Sequence, residues 1–290
     1  SDPVNNLKVS VIMKDITAQM VAEHPAQYYG LKVTNYESKN GQKDWKIFYS
    51  DGEHIFLITG GYVDLSAANR LNSNTGMTKI GDKYIANWSS EPSSLQTVED
   101  TVKTRFMATG YTLNSSDVSS KCASTLLNAS NWESYKDNNG MAEYAIGGST
   151  IEMWTASWNK LCDKKYNKPS DKLYWKASTA ENHKGYYLGT SENEEKYGLS
   201  KEIMQAKDGY KNSLYYPHRE DNIIDGDNNV TCRKYWLVSP SAAILFDLIT
   251  IQNDGYIIYH DCTNNSGDEA ALRPVVSLNS GIKVNATEAQ

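Results

Sequence analysis

Tyr235-Trp236-Leu237-Val238-Ser239-Pro240-Ser241 is the stretch on which the fold turns. Tyr, Trp, Leu and Val suit a pleated, half-buried surface, and Ser-Pro-Ser ends the run. Leu248-Ile249-Thr250-Ile251 follows with the same composition, and Asp254-Gly255 leads into Tyr256-Ile257-Ile258-Tyr259. Asp-Gly tolerates the positive φ angles of a tight hairpin turn. Alternation would place Ile257 and Tyr259 on one side of that strand and Tyr256 and Ile258 on the other. Leu272-Arg273-Pro274-Val275-Val276-Ser277-Leu278 reads as a closing strand.

Strand signals return near the N-terminus. Leu31-Lys32-Val33-Thr34 precedes Asn40-Gly41, and Trp45-Lys46-Ile47-Phe48-Tyr49 reaches His54-Ile55-Phe56-Leu57-Ile58 through Asp51-Gly52. This predicts a hairpin with a type I′ turn. Between the two strand regions the period is helical. Leu95, Val98, Val102 and Phe106 share one face, with Gly110 as the stop. Val118, Cys122 and Leu126 repeat at i+4 behind Asp117, a candidate cap. Ser149-Thr150-Ile151-Glu152 is a capping-box pattern ahead of Met153, Trp154, Trp158 and Leu161. Ile12, Met13, Ile16 and Met20 predict a short N-terminal helix ended by Pro25. Residues 167–230 carry loop composition. Strands near both ends with helices between define an α+β class, with the termini expected to share one sheet. The expected organisation is a lead or linker over residues 1–28 and one domain over 29–290.

Composition excludes several classes. The 290 residues are 39% hydrophobic and 22% charged, which is globular and not disordered. Lys plus Arg total 29 against 35 Asp plus Glu, and no basic stripe is present, so a duplex nucleic acid is not an expected partner. No apolar run approaches the roughly 18 residues of a membrane helix. With 20 Tyr and 7 Trp against 4 Phe, the aromatics favour rings with a polar handle, the type enriched at binding surfaces. The sequence opens Ser1-Asp2-Pro3, which reads as a processed or trimmed ectodomain. Cys122, Cys162, Cys232 and Cys262 lie outside any CxxC and at no zinc spacing from a His. Four cysteines allow three disulfide pairings or none, and spacing does not choose.

Several of these motifs together resemble a known family. Tyr29-Gly30, Trp45-Lys46-Ile47-Phe48-Tyr49 and Ile55-Phe56-Leu57-Ile58 look like the opening of exported or pilin-like surface proteins of gut anaerobic bacteria. Ile146-Gly147-Gly148-Ser149-Thr150-Ile151-Glu152-Met153-Trp154 through Ser157-Trp158-Asn159 is similar to their central helix motif. A Trp strand, a Gly-turn hairpin and an Arg-Pro strand in that order also resemble the end of C-type-lectin-like (formylglycine-generating-enzyme-like) folds. In particular the pattern looks like that of the variable proteins diversified by retroelements. In those proteins the varied residues lie between the Trp strand and the Arg-Pro strand, and they change at adenine-containing codons.

Here that window is Ala242–Asn265. Ile244, Phe246, Asp247, Tyr256, Tyr259, His260, Asn264 and Asn265 are all reachable from an asparagine codon by changing its adenines. Lys, Glu, Met and Trp are not reachable in that way, and the window contains none of them, though it does contain Gln252. The resemblance implies that these eight residues bind the ligand. It also implies that Trp236, Pro240, Arg273 and Pro274 are scaffold. The partner would be a protein or glycan on a cell or host surface, and the protein would be exported, extracellular or on the cell surface. The family's N-terminal anchor helix has no counterpart in this sequence, so the membrane enters only through an implied anchor.

Catalytic signatures are few. None of His24, His54, His183, His218 and His260 adjoins a GxSxG or HExxH motif, and His54 and His218 read as surface histidines. Asp221-Asn222-Ile223-Ile224-Asp225-Gly226-Asp227-Asn228-Asn229 fails as an EF-hand at Ile223 and Cys232. It reads as an Asx-rich turn, with a lectin-like calcium site as the alternative. Trp88, Trp132, Trp175, Tyr186-Tyr187 and Tyr215-Tyr216 read as core or loop anchors, with sugar stacking as the alternative. The expected function is binding and not catalysis, with no cofactor. Alternatives are a fixed-specificity carbohydrate-binding lectin, with or without calcium, and an enzyme using Cys232 and Cys262, for which a disulfide is the simpler reading.

Overall fold

The computed structural model of the chain describes residues 11–65, 77–80, 83–86, 92–165, 176–177, 186–187, 214–215, 223–224, 230–232, 234–242, 244–252, 257–263 and 270–288. From the N-terminus come β1 (Met13–Ile16), α1 (Ala18–Glu23), α2 (Pro25–Tyr28), β2 (Lys32–Val33), β3 (Trp45–Ser50) and β4 (Ile55–Thr59). A ribbon of β5 (Met77–Ile80) and β6 (Lys83–Ala86) follows. Next come α3 (Asp100–Arg105), α4 (Val118–Leu127), a 3-10 helix (Ala129–Tyr135), β7 (Ala142–Ile146) and α5 (Ile151–Lys165). Two short ribbons pair β8 (Lys176–Ala177) with β9 (Tyr186–Tyr187), and β10 (Ile223–Ile224) with β11 (Val230–Cys232). The chain closes with β12 (Lys234–Pro240), β13 (Asp247–Gln252), β14 (Ile257–Asp261), β15 (Val275–Leu278) and β16 (Val284–Thr287).

The α+β class is therefore observed, and the two ends do share a sheet. Its seven strands run β1-β16-β2-β3-β4-β15-β7. β16 lies between β1 and β2, with Ala286 opposite both Met13 and Val33. β15 lies between β4 and β7, with Val275 opposite both Ile58 and Ile146. Both faces of β15 are covered, and all four of its residues are buried. That is why Val275-Val276-Ser277-Leu278 reads as a continuous run rather than an alternation. A second, three-stranded sheet, β12-β13-β14, carries the predicted window.

One helix joins the sheets and a second backs the small one. α5 packs on β3 of the large sheet and β12 of the small one, and α4 packs on β12 and β13. The core between them is aromatic. Trp154 and Trp158 stack at 5.9 Å, and Tyr215 meets both rings edge-on. Such pairs contribute about 0.5–1.5 kcal/mol each beyond the area they bury.

Local details depart from the sequence reading in four places. Ile12, Met13 and Ile16 do not form a helical stripe. Met13–Ile16 is a strand held by β16, a pairing 270 residues distant that local periodicity cannot reveal. The helix starts only at Ala18, where the Thr17 side chain accepts from the Met20 N–H, and Pro25 begins α2 instead of ending a helix. Within the expected lead over residues 1–28, Ile16, Val21 and Tyr28 belong to the main core cluster. The β3–β4 turn is a four-residue loop, since Ser50 pairs with Ile55. There Gly52 takes φ +91°, and the Asp51 carboxylate accepts from the Glu53 and His54 N–H groups. α3 is shorter than its apolar period, and Met107, at φ +59°, closes it before Gly110.

The cap of α5 lies one residue beyond the pattern's first serine. Thr150 Oγ1 accepts from the Met153 N–H at 3.2 Å and donates to Phe106 O at 2.7 Å. Ser239 Oγ, from β12, accepts from the Ile151 N–H at 2.9 Å. Thr150→Ala is expected to cost about 2 kcal/mol, since a cap and a buried hydrogen bond are lost together. Thr150→Ser keeps the hydroxyl and is expected to recover most of that loss. Urea midpoints of the two variants decide the matter, and equal midpoints would refute the capping role.

Candidate functional site

β12 and β13 are joined by a short loop, residues 241–246, whose backbone is tied at several points. The Ser241 N–H donates to Asp247 O at 2.8 Å, and the Asp247 N–H donates to Ile244 O at 3.3 Å. Leu245 O accepts from the Ser119 N–H at 2.9 Å, and Phe246 O accepts from the Cys262 N–H at 2.9 Å. Ser119 stands in the first turn of α4, where helix N–H groups lack partners of their own. The Asp117 side chain makes no cap hydrogen bond there. The Leu245 carbonyl supplies an acceptor instead.

With their carbonyls fastened inward, Leu245 and Phe246 point their side chains out. Phe246 is 46% exposed and Leu245 38%, while Ile244 is half-buried. The other exposed large hydrophobics among the described residues are Val11 and Ile12, at the far end of the chain. An apolar pair held in water by a fastened backbone is the feature that marks this loop out.

Behind the loop, β13 is the central strand, and its first five residues are buried. β14 pairs with it in the register Leu248–His260, Ile249–Tyr259, Thr250–Ile258 and Ile251–Ile257. Ile257 and Tyr259 therefore share one face, as alternation requires, and Ile258 and His260 share the other. All five residues of β14 are half-buried. The Gln252 amide nitrogen lies 2.9 Å from His260 Nε2. Asp261 Oδ1 accepts from both the N–H and the hydroxyl of Thr263, at 2.7 and 2.6 Å.

The expected site residues divide accordingly. Phe246 is at the surface, and Ile244, Tyr259 and His260 are partly so. Asp247 is not displayed. It is 5% exposed, opposite Asp261 at the start of β13, and that burial removes it from a ligand-facing set. Tyr256, Asn264 and Asn265 lie outside the described residues. Leu245 was missed by the codon argument, although an apolar pair in a turn between two strands was a signal available in the sequence.

The implied scaffold residues are deeply placed. Trp236 is buried, and its Nε1–H donates to Ala86 O at 3.1 Å. Pro240 pairs opposite Leu248, and Pro274 O accepts from the Thr59 N–H at 3.3 Å. Arg273 is fully buried. Its Nε and Nη2 donate to Thr59 O at 3.2 and 2.7 Å, and Nη1 donates to Leu214 O at 2.8 Å. Its guanidinium also lies 4.9 Å from the centre of the Tyr235 ring. Burial pushes the Tyr235 phenol up in pKa, opposed by Arg273 and by the Trp154 Nε1–H that it accepts.

Cys262 faces Cys122 of α4, not Cys232, the partner considered from sequence. Both are thiols in the structure, and both are buried. Burial, followed by contact with Cys122 and the charges of Asp261 and Asp247, pushes the Cys262 thiol well up in pKa. That environment suppresses the thiolate a nucleophile needs.

The remaining candidates resolve as follows. Trp132 and Tyr215 are fully buried, so neither is a sugar platform. Trp88, Trp175 and Tyr216 lie outside the described residues, and of Tyr186 and Tyr187 only the backbone strand is described. The acidic run from Asp221 lies outside them too, except for the strand Ile223–Ile224. Among the described residues no three His, Cys, Asp or Glu side chains converge as a metal site. No helix among them is long and apolar enough to cross a membrane. His24 is exposed, and His183 and His218 lie outside the described residues.

His54 is not a surface residue. It is 5% exposed, with Asp51 Oδ2 3.0 Å from Nδ1 and Arg105 Nη1 2.6 Å from Nε2. Arg105 also pairs with Glu143 at 2.9 Å. This cluster borders a cavity of about 470 Å³ walled by Tyr49, Phe56, Met107 and Tyr144. The lining contains neither Ser nor Cys, and the ion pairs bind the β3–β4 turn to α3 and β7.

Comparisons with protein-family models, with curated proteins and with solved structures find no match to this chain.

Proposed function

We propose that the protein is a surface-displayed ligand-binding protein of adhesin or receptor-binding type. In this reading it is built on a C-type-lectin-like domain, and a retroelement diversifies its C-terminal surface. The observation that carries the reading is the exposure of Leu245 and Phe246 on a loop whose carbonyls are fastened to α4 and to Cys262. A rigid aromatic anchor binds at low entropic cost because it is already ordered. The half-buried Tyr259 and His260 add a ring and a hydrogen-bonding edge beside it. The order of Trp strand, hairpin and Arg273-Pro274 strand supports the lectin-like assignment.

Sequencing this gene across its native population tests the proposal. Substitutions are expected at the codons of Ile244, Phe246, Tyr256, Tyr259, His260, Asn264 and Asn265, concentrated at adenines. The codons of buried Trp236 and Arg273 are expected to stay fixed. An invariant window would sink the diversified reading and favour a lectin of fixed specificity. On an array of glycans and cell-surface proteins, the pair Leu245→Ala and Phe246→Ala is expected to abolish binding. Their thermal stability should stay within about 0.5 kcal/mol of the parent, as for other exposed positions.

A further inference from the structure

Cys122 and Cys262 are 140 positions apart in sequence, and their sulfurs lie 2.7 Å apart. Non-bonded heavy atoms sit most comfortably at about 3.5–4.0 Å, so the two side chains are aimed at one another more closely than packing alone brings them. They are 0% and 1% exposed. Each also belongs to an element that holds the exposed loop. α4 carries Ser119, whose N–H holds the Leu245 carbonyl, and the N–H of Cys262 itself holds the Phe246 carbonyl.

We propose that Cys122 and Cys262 are joined by a disulfide that cross-links α4 to the end of β14 and locks the Leu245–Phe246 loop between them. The bond forms by thiol–disulfide exchange with a disulfide oxidant, such as oxidised glutathione or a protein oxidoreductase. One cysteine attacks as thiolate and displaces one thiol of the oxidant. The second attacks the mixed disulfide and displaces the other. Two thiols of this chain are oxidised, the oxidant's disulfide is reduced to two thiols, and the two protons leave with them. Burial shields the pair from attack and suppresses the thiolate of Cys262, so exchange belongs to folding, before the core closes. Once formed, the bond is shielded from reductant by the same packing. The cross-link holds whatever the loop binds, because it rests on the two thiols and the backbone they fasten.

The test is to refold the full chain in a buffer of reduced and oxidised glutathione, alkylate it with iodoacetamide, and digest it without reductant. Mass spectrometry is expected to find the Cys122 peptide joined to the Cys262 peptide, about 2 Da below the sum of the two thiol forms. Alkylation of both cysteines, or a Cys262 joined to Cys162 or Cys232, would overturn the pairing. Hydrogen exchange then compares the same chain oxidised and reduced, which requires no variant to fold. The Ser119 and Cys262 amides are expected to exchange about 10-fold more slowly in the oxidised form. Equal rates would overturn the locking of the loop while leaving the bond itself standing.

Discussion

Arg273→Met is expected to lower the stability of the chain by about 4 kcal/mol. The guanidinium is fully buried, and its described acceptors are two backbone carbonyls, Thr59 O and Leu214 O. Methionine fills much of the volume but donates nothing, so both carbonyls lose the donors that Arg273 gives them. Each buried group left in that state costs about 1–3 kcal/mol. Loss of the contact with the Tyr235 ring adds to this, by about 2 kcal/mol for a desolvated pair. Relief of the buried charge offsets part of the sum. For a chain of this size the net loss corresponds to a fall in melting temperature of about 10 °C. Arg273→Lys is expected to fall between, because an ammonium lacks the planar fork that reaches both carbonyls. A fall of under about 2 °C for the methionine variant would show that these hydrogen bonds do not carry that stability.

Gly147→Ala is the second large effect. A β-carbon at residue 147 would lie 2.3 Å from Trp132 Cζ2 and 2.8 Å from Leu126 Cδ2. Neither side can yield easily. The Gly147 N–H is bonded to Leu126 O at 2.8 Å, and Trp132 is fully buried with its Nε1–H on Thr125 O at 3.2 Å. The requirement for glycine is steric contact, not backbone angle. Overpacking of this kind costs about 1–3 kcal/mol, and the pinned backbone places this site near the upper end. The check is a double-mutant cycle with Trp132→Phe, whose smaller ring leaves room for the methyl. The alanine is expected to cost at least about 1 kcal/mol less in that background. Strict additivity would mean that the clash with Trp132 is not the cause.

Much of this architecture was legible in the sequence, because the signals concerned are local. β12, β13 and β14 follow from short β-rich runs separated by turn residues, and α4 from a repeat of Val118, Cys122 and Leu126. What was hidden depends on distant partners. Ile16 reads as helical until β16 is known to lie beside it, and His54 reads as exposed until Arg105 and Asp51 enclose it. In the candidate site Phe246, singled out from the sequence, is exposed, but the burial of Asp247 was not legible. Its orientation is set by the register with Asp261, which no residue type announces. The partnership of Cys122 and Cys262 was equally out of reach, since it requires the docking of a helix and a strand far apart in the chain.

The interleaved order of the large sheet bears on how the chain is made. β4 leaves the ribosome early, yet its neighbour β15 begins only at Val275, and β1 and β2 wait for Val284–Thr287 to fill the gap between them. Until then the early strands present open backbone edges, the kind on which other chains can pair. Contacts of such long sequence separation also form slowly. Those edges therefore stay open until β15 and β16 have been made, the interval in which a holdase would give this chain the most protection.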